Sequence, residues 1–259
     1  MIQIRSCVGF DELEAAVQME IATWGYNASD IIPRKAFLVT QAIGGQVIGA
    51  FDTSITATKD ADRMVGFAMA MAGMKSRPDQ PPMPYLHSHM LAVRPEYRDQ
   101  GLGFRLKCFQ REEALARGIE WMEWTFDPLE IKNAYLNITR LGAVVRRYKA
   151  NFYGSSTSKL QGGLPTDRLV AEWAMNSERV DRALARKAAV EFPIEEQITV
   201  PAAIYAWKAS ENDRERALEV QSRNREIFEK AFAAGFTVLG FRRMPNGDGI
   251  FELGHSEIR

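Results

Sequence analysis

Hydrophobic and polar positions change period several times along the 259-residue chain, and each change marks an element. Residues 1–6, "MIQIRS", alternate and predict a strand. From Asp11, the residues Leu13, Ala16, Val17, Ile21 and Trp24 recur at helical spacing until Gly25 stops them. "PRKAFLVTQAIGG" predicts a second helix, with Pro33 in its first turn and Gly44–Gly45 at its end. "QVIGAFD" and "MVGFAMAMAG" predict strands joined by a polar stretch, Thr53 to Asp62. The proline-rich "SRPDQPPMP" predicts an extended connection, and "YLHSHMLAV" a further strand.

Gly101 to Arg117 predicts a helix with Leu102, Leu106 and Phe109 inward and Gly118 as a left-handed cap. "IEWMEWTF" is apolar on both faces, as a central strand should be. "EIKNAYLNITRLGA" predicts a helix ended by Gly142, and "VVRRYKANFYG" and "LVAEWAMN" predict strands around a connection at 154–168. Beyond 176 the pattern predicts a helix, a β segment near 197–208, a long helix at 211–234 and the strands "FTVLGFRRM" and "GIFELG". Ser210 and Asp213 have spacing like that of a capping box. The fold class is α/β, a mixed sheet with helices on its faces. The expected domains are 1–176 and an α/β extension, 177–259, packed on the first.

Composition narrows the function. Lys plus Arg and Asp plus Glu both number 33, so the formal net charge is zero and neither nucleic acid nor an anionic membrane is an expected partner. No long apolar window predicts a membrane span, and "MIQIRSCVGF" lacks a signal-peptide pattern, so a cytoplasmic protein is expected. Cys7 and Cys108 form no framework and read as reduced, buried thiols.

The chemistry concentrates in "HSHMLAVRPEYRDQGLG", His87 to Gly103. A strand that enters a glycine turn and then a helix is suited to an anion. The first helical N–H groups lack intrahelical partners, and glycine lets the anion approach them. Arg98 would add a charged donor. Gly-Lys-Ser/Thr is absent here, and Leu106 stands where a dinucleotide loop would have its third glycine. On a regular strand His87 and His89 face one side, with Cα atoms about 6.5–7 Å apart. Three roles are open to them: accepting a proton near neutrality, forming half of a metal site, or making hydrogen bonds in the core. His255, near the terminus, makes a three-histidine metal site improbable, and no metal is expected.

Val93, Pro95, Arg98, Gly101 and Gly103 match the Val-x-Pro-x-x-Arg-x-x-Gly-x-Gly motif of the Gcn5-related N-acetyltransferases, GNAT, and the chain resembles that family through residue 176. The resemblance implies an acyl-CoA-binding fold and an acyl-CoA-dependent N-acyltransferase. Arg98, Asp99, Gln100, Gly101, Leu102 and Gly103 would hold the pyrophosphate. Val93 would end the strand that pairs with the pantetheine arm, a backbone N–H near Leu91 would polarise the thioester carbonyl, and Asn133 would touch the cofactor. The donor is acetyl-CoA or another acyl-CoA, with succinyl-CoA included, and the acceptor a small-molecule amine such as an amino acid. "HSHMLAV" resembles the arylalkylamine N-acetyltransferase branch, in which such histidines act as base.

Many members place a tyrosine, the acid that protonates the thiolate, four residues before the glycine that ends the fourth helix. Here that position is Ile138, which leaves Tyr135, Tyr148, Tyr153 or water as donor. Arg146 and Arg147 are consecutive, so one is expected to face the cleft and, with Arg168, to meet a substrate carboxylate. The Asp127 of "WTFDP" is expected to cap the following helix, and "GGLPTDR" reads as a surface turn or a substrate loop. Two rival readings remain: a non-catalytic acyl-CoA-binding module and a protein-directed acetyltransferase. A homodimer stays open.

Overall fold

The structure is a computed structural model. It describes residues 1–77, 80–188 and 191–256, with the backbone alone at Lys159. It forms two compact units, Met1–Glu123 and Trp124–Arg259. This division differs from the boundary expected at 176/177.

Unit 1 contains β1 (Ile2–Ser6), α1 (Gly9–Trp24), α2 (Arg34–Ala42), β2 (Gln46–Asp52), β3 (Met64–Arg77), β4 (Gln80–Val93), α3 (Leu102–Ala116) and the start of β5 (Trp121–Phe126). The strand order is β1-β2-β3-β4-β5. Pairing is antiparallel except between β4 and β5, which run parallel at Leu86↔Met122 and His87↔Glu123. One face packs Phe67, Met69 and Met90 against Leu13, Ala16 and Phe37 of α1 and α2. The other packs Ile48, Val65 and Ala68 against Leu102 and Leu106 of α3. Being covered on both faces, β2 is buried along its whole length, which is why its sequence does not alternate.

The proline-rich stretch is corrected. Its flanks extend β3 and β4 into a long hairpin with Arg77 opposite Gln80, while Pro78 and Asp79 lie outside the described residues. Proline is compatible with extended backbone, and the Arg77 guanidinium donates to the Pro81 carbonyl at 2.9 Å, so the prolines cost this distal part of the hairpin little. Of the cysteines, Cys7 is buried and its thiol is pushed up to about 12 by desolvation, whereas Cys108 is only half-buried.

Unit 2 orders its strands β7-β6-β9-β10-β8: β6 (Val144–Lys149), β7 (Arg168–Ala174), β8 (Glu196–Val200), β9 (Thr237–Arg243) and β10 (Gly249–Gly254). Its helices are α4 (Ile131–Ala134), α5 (Glu178–Leu184), α6 (Ile204–Ala209) and α7 (Arg214–Ala233). α4 continues through Tyr135–Arg140 with π-helical geometry. Gly142 then takes a φ of +76°, the left-handed turn that its position predicts. Buried Trp173 donates its indole N–H to the Leu141 carbonyl at 2.7 Å and fixes this exit. The later segment packs on the earlier strands of its own unit: β9 pairs with β6 at Val145↔Val238, and α7 lies on β6.

Two expectations for that later segment are corrected. The β reading of 197–208 holds only to Val200, because the chain turns at 201–203 and residues 204–209 form α6. The long helix begins after Asp213, whose side chain makes no capping bond, so the Ser210/Asp213 box is not formed.

Candidate functional site

The histidines stand on a strand that is not regular. Across β3 and β4, Met69 pairs with Met90 but Ala70 pairs with Ser88, so His89 is an extra residue in β4 and makes a bulge. A bulge shifts the two-residue alternation by one. Beyond it, Met90 and Ala92 face α1 and α2, while Leu91 and Val93 face α3. Before it, Ser88 faces α3, where Lys107 and Gln110 meet it, and His87 lies opposite Met71 on the α1 side. The two imidazoles remain neighbours, with ring centroids 6.0 Å apart. Both are half-buried, and desolvation lowers the pKa of His89 below the ordinary histidine value. Among the described residues, β4 past His87 is paired only with β3.

β4 ends at Val93 and leads through a short 3-10 turn, Pro95–Tyr97, into the glycine loop. Tyr97 anchors this turn by donating to Asp52 at 2.9 Å, a carboxylate held well below its usual range by Ser54, Tyr97 and the N-terminus. Asp99 and Gly101 have φ values of +59° and +76°. A Cβ at Gly101 would project into open space. Gly101 is the N-cap of α3, no side chain caps that end, and its first turn holds no acid. Arg98 is exposed and donates through Nε to the Val93 carbonyl at 3.0 Å, which ties the loop to the end of the strand. Gln100 donates to the Glu96 carbonyl at 2.9 Å, and Leu102 is buried under the loop.

Behind β4 lies a polar group that sequence reasoning missed. Lys107 of α3 is only 3% exposed, and its ammonium donates to Ser88 Oγ at 2.7 Å. Ser88 in turn donates to Gln110 Oε1 at 3.1 Å. Burial pushes the Lys107 pKa far down from the lysine range. A signal was present: Leu106, Lys107, Gln110 and Ala114 lie on the inward stripe of α3, so a lysine occupies an apolar position. A second unforeseen group is Glu20, which is fully buried in α1 and accepts the Ile32 N–H at 3.0 Å while its other oxygen has no partner among the described residues. Desolvation raises its pKa to about 7.

The residues expected in unit 2 fare differently. Asn133 is exposed on α4. Tyr135 is half-buried, with Arg243 5.9 Å from its ring centre. Ile138 is buried. Tyr148 donates to the buried carboxylate of Asp167, and its pKa is raised, so it is tied up as a proton donor. Tyr153 is exposed, and its hydroxyl lies 2.9 Å from Thr125 Oγ1.

The expectation that Arg146 and Arg147 face opposite sides is corrected. Both bond the same carboxylate, Glu172, at 3.0 Å each. The β6–β7 register slips between Val145 and Tyr148, so two residues oppose one and the two guanidiniums share a side. Arg168 donates to the Asp167 carbonyl and to Gln161 Oε1, at 2.8 and 3.1 Å. Asp127 does not cap α4. It accepts the Leu129 N–H at 2.8 Å in a local turn and takes Lys208 at 2.9 Å, an ion pair that also includes Glu130. Asp167 is fully buried, so "GGLPTDR" is a pinned segment and not a surface turn. Among the described residues no group of three His, Cys, Asp or Glu is arranged to hold a metal, and no helix is long and apolar enough to cross a membrane.

No protein-family model matches the sequence, and no curated protein does. Solved structures match the fold. NAA60 of Arabidopsis thaliana in complex with acetyl-CoA aligns at a TM-score of 0.51 and 14% identity, over 67% of this chain and 99% of that one. The same protein with a bisubstrate analogue gives 0.51 and 14%, over 67% and 98%. The NatC complex bound to Gag peptide and CoA gives 0.50 and 11%, over 67% and 98%. The chain has the GNAT acetyltransferase fold over about two-thirds of its length.

Proposed function

We propose that the protein is an acyl-CoA-dependent N-acyltransferase that transfers an acetyl or related acyl group to an amine. The observation that carries this reading is the uncapped start of α3, reached from a bulged strand through a loop with Arg98 and two left-handed residues. Helical N–H donors and the positive end of the dipole favour a pyrophosphate there, and the space beside Gly101 admits it. The backbone of β4 past His87 offers amides to a pantetheine arm, with the Leu91 N–H as donor to the thioester oxygen. Acetyl-CoA and CoA are the ligands in the aligned NAA60 and NatC structures, which supports the same ligand class here.

His87 and His89 then take the amine proton, directly or through water. The lowered pKa of His89 keeps it neutral, and so competent as a base, at neutral pH. With Arg146 and Arg147 both engaged by Glu172, the acceptor need not carry a carboxylate. The acceptor in this proposal is a small-molecule amine. The peptide in the NatC structure favours one alternative, a protein or peptide amine.

A screen of acetyl-, succinyl- and longer acyl-CoAs against small amines, amino acids and short peptides, read as free thiol release, tests both readings. The expected result is turnover with at least one small amine. Turnover with peptides alone moves the acceptor to the protein class. Tight CoA binding without thiol release for any pair leaves a binding module.

A further inference from the structure

We propose that Lys107 is the acid that protonates the departing thiolate, the position that Ile138 cannot fill. The assignment rests on the acyl-CoA reading and supplies a group which that reading lacks. Lys107 lies six residues past Gly101, about 9 Å along α3 at 1.5 Å per residue. Its Nζ is 2.7 Å from Ser88 Oγ on β4 and 4.0 Å from Met122 Sδ on β5. Leu86↔Met122 and His87↔Glu123 are the rungs that join those strands. The ammonium therefore lies beneath the place where the β4 ladder to β5 ends.

The arm of a CoA molecule brings its sulfur to the same place. With the pyrophosphate at the start of α3, the arm runs back along β4 from Val93. Val93 and Ser88 lie four rungs apart on the β3 ladder, because the His89 bulge adds a residue without adding a rung, so about 13 Å at 3.3 Å per residue separates them, within the reach of a pantetheine arm. The sulfur then falls between Leu91 and Ser88, over the lysine.

A methionine of similar length would avoid the cost of desolvating an ammonium in this site. What the lysine offers in exchange is a proton. Burial draws its pKa down from the lysine range, which eases release of the proton. Glu113 of α3 takes Gln46 and Arg117, and Glu123 of β5 takes Trp121 and Lys75.

The step balances as follows. The amine nitrogen forms its bond to the acyl carbon and loses its proton to the histidines. The C–S bond breaks, and its electron pair leaves on sulfur. Lys107 Nζ gives that sulfur a proton and becomes neutral, and solvent restores both groups.

The test uses Lys107→Met and Lys107→Arg in the full chain. The expected kcat falls roughly 10²-fold in both, because arginine keeps the charge but does not release a proton. The KM for acyl-CoA and the calorimetric Kd for CoA should stay within about twofold of the parent. The alkaline fall of kcat, caused in the parent by loss of the Lys107 proton, should vanish in Lys107→Met. The melting temperature of Lys107→Met at pH 7 should equal or exceed that of the parent, since an ammonium disfavoured by the fold has been removed. Parental kcat and a parental alkaline limb in Lys107→Met overturn the assignment, as does full activity in Lys107→Arg. The parent's own thiol release separates the two ideas. An active parent with an unaffected Lys107→Met overturns only the lysine's role, and a parent that neither binds CoA nor releases thiol overturns both.

Discussion

Replacing both His87 and His89 with Gln lowers acyl transfer by roughly 10²-fold or more, the scale of general acid–base catalysis. The two rings are 6.0 Å apart, so either can serve a bound amine alone or with a bridging water, and only the double change removes the function. Both positions are half-buried, and glutamine keeps their size and polarity, so the fold should hold. The pH dependence has a definite sign. Desolvation disfavours the His89 imidazolium, so the neutral base persists to lower pH than in a free histidine. The rate of the parent should rise with pH through a midpoint below 6.5, the ordinary value. The double variant should lose that limb. Parental turnover with a parental profile would assign both residues to structure.

Asp167→Ala should cost about 3 kcal/mol, the lower end for breaking a buried ion pair. The carboxylate is fully buried and collects the Tyr148 hydroxyl, the Asn151 N–H at 2.9 Å and Arg225 at 2.8 Å. Its loss leaves a guanidinium and a phenol without that acceptor and frees the chain between β6 and β7. For a protein of this size the melting temperature should drop by roughly 10 °C. Asp167→Asn keeps one acceptor oxygen and should lose less. A melting temperature within 2 °C of the parent, an interval of about half a kcal/mol, would show that the network adds nothing to stability.

Legibility in the sequence follows how local the determinant is. The glycine loop was readable because Arg98, Gly101 and Gly103 act on their immediate backbone, and the helix ends at Gly25, Gly118 and Gly142 were readable for the same reason, each with positive φ. The bulges were not. One turns Arg146 and Arg147 to a single carboxylate, and another reverses the facing of β4 at His89. Both depend on pairing with a neighbouring strand. The proline-rich flanks became strand through that same kind of pairing. The burial of Glu20 and Asp167 was not legible because charged residue types signal surface and only the packed fold shows them buried, whereas that of Lys107 was signalled only by its place on the inward stripe of α3.

The proposed hold of Arg98–Gly103 on the pyrophosphate of CoA is read by calorimetric titration of CoA into the parent and into Gly103→Val. A Cβ at Gly103 would touch only Leu91, at an ordinary 3.4 Å, so the variant should fold as the parent does. The parent should bind one CoA saturably, and the variant should bind it at least tenfold more weakly, about 1.4 kcal/mol. A parent that does not bind CoA, or a folded variant that binds it equally well, would remove the pyrophosphate from this loop.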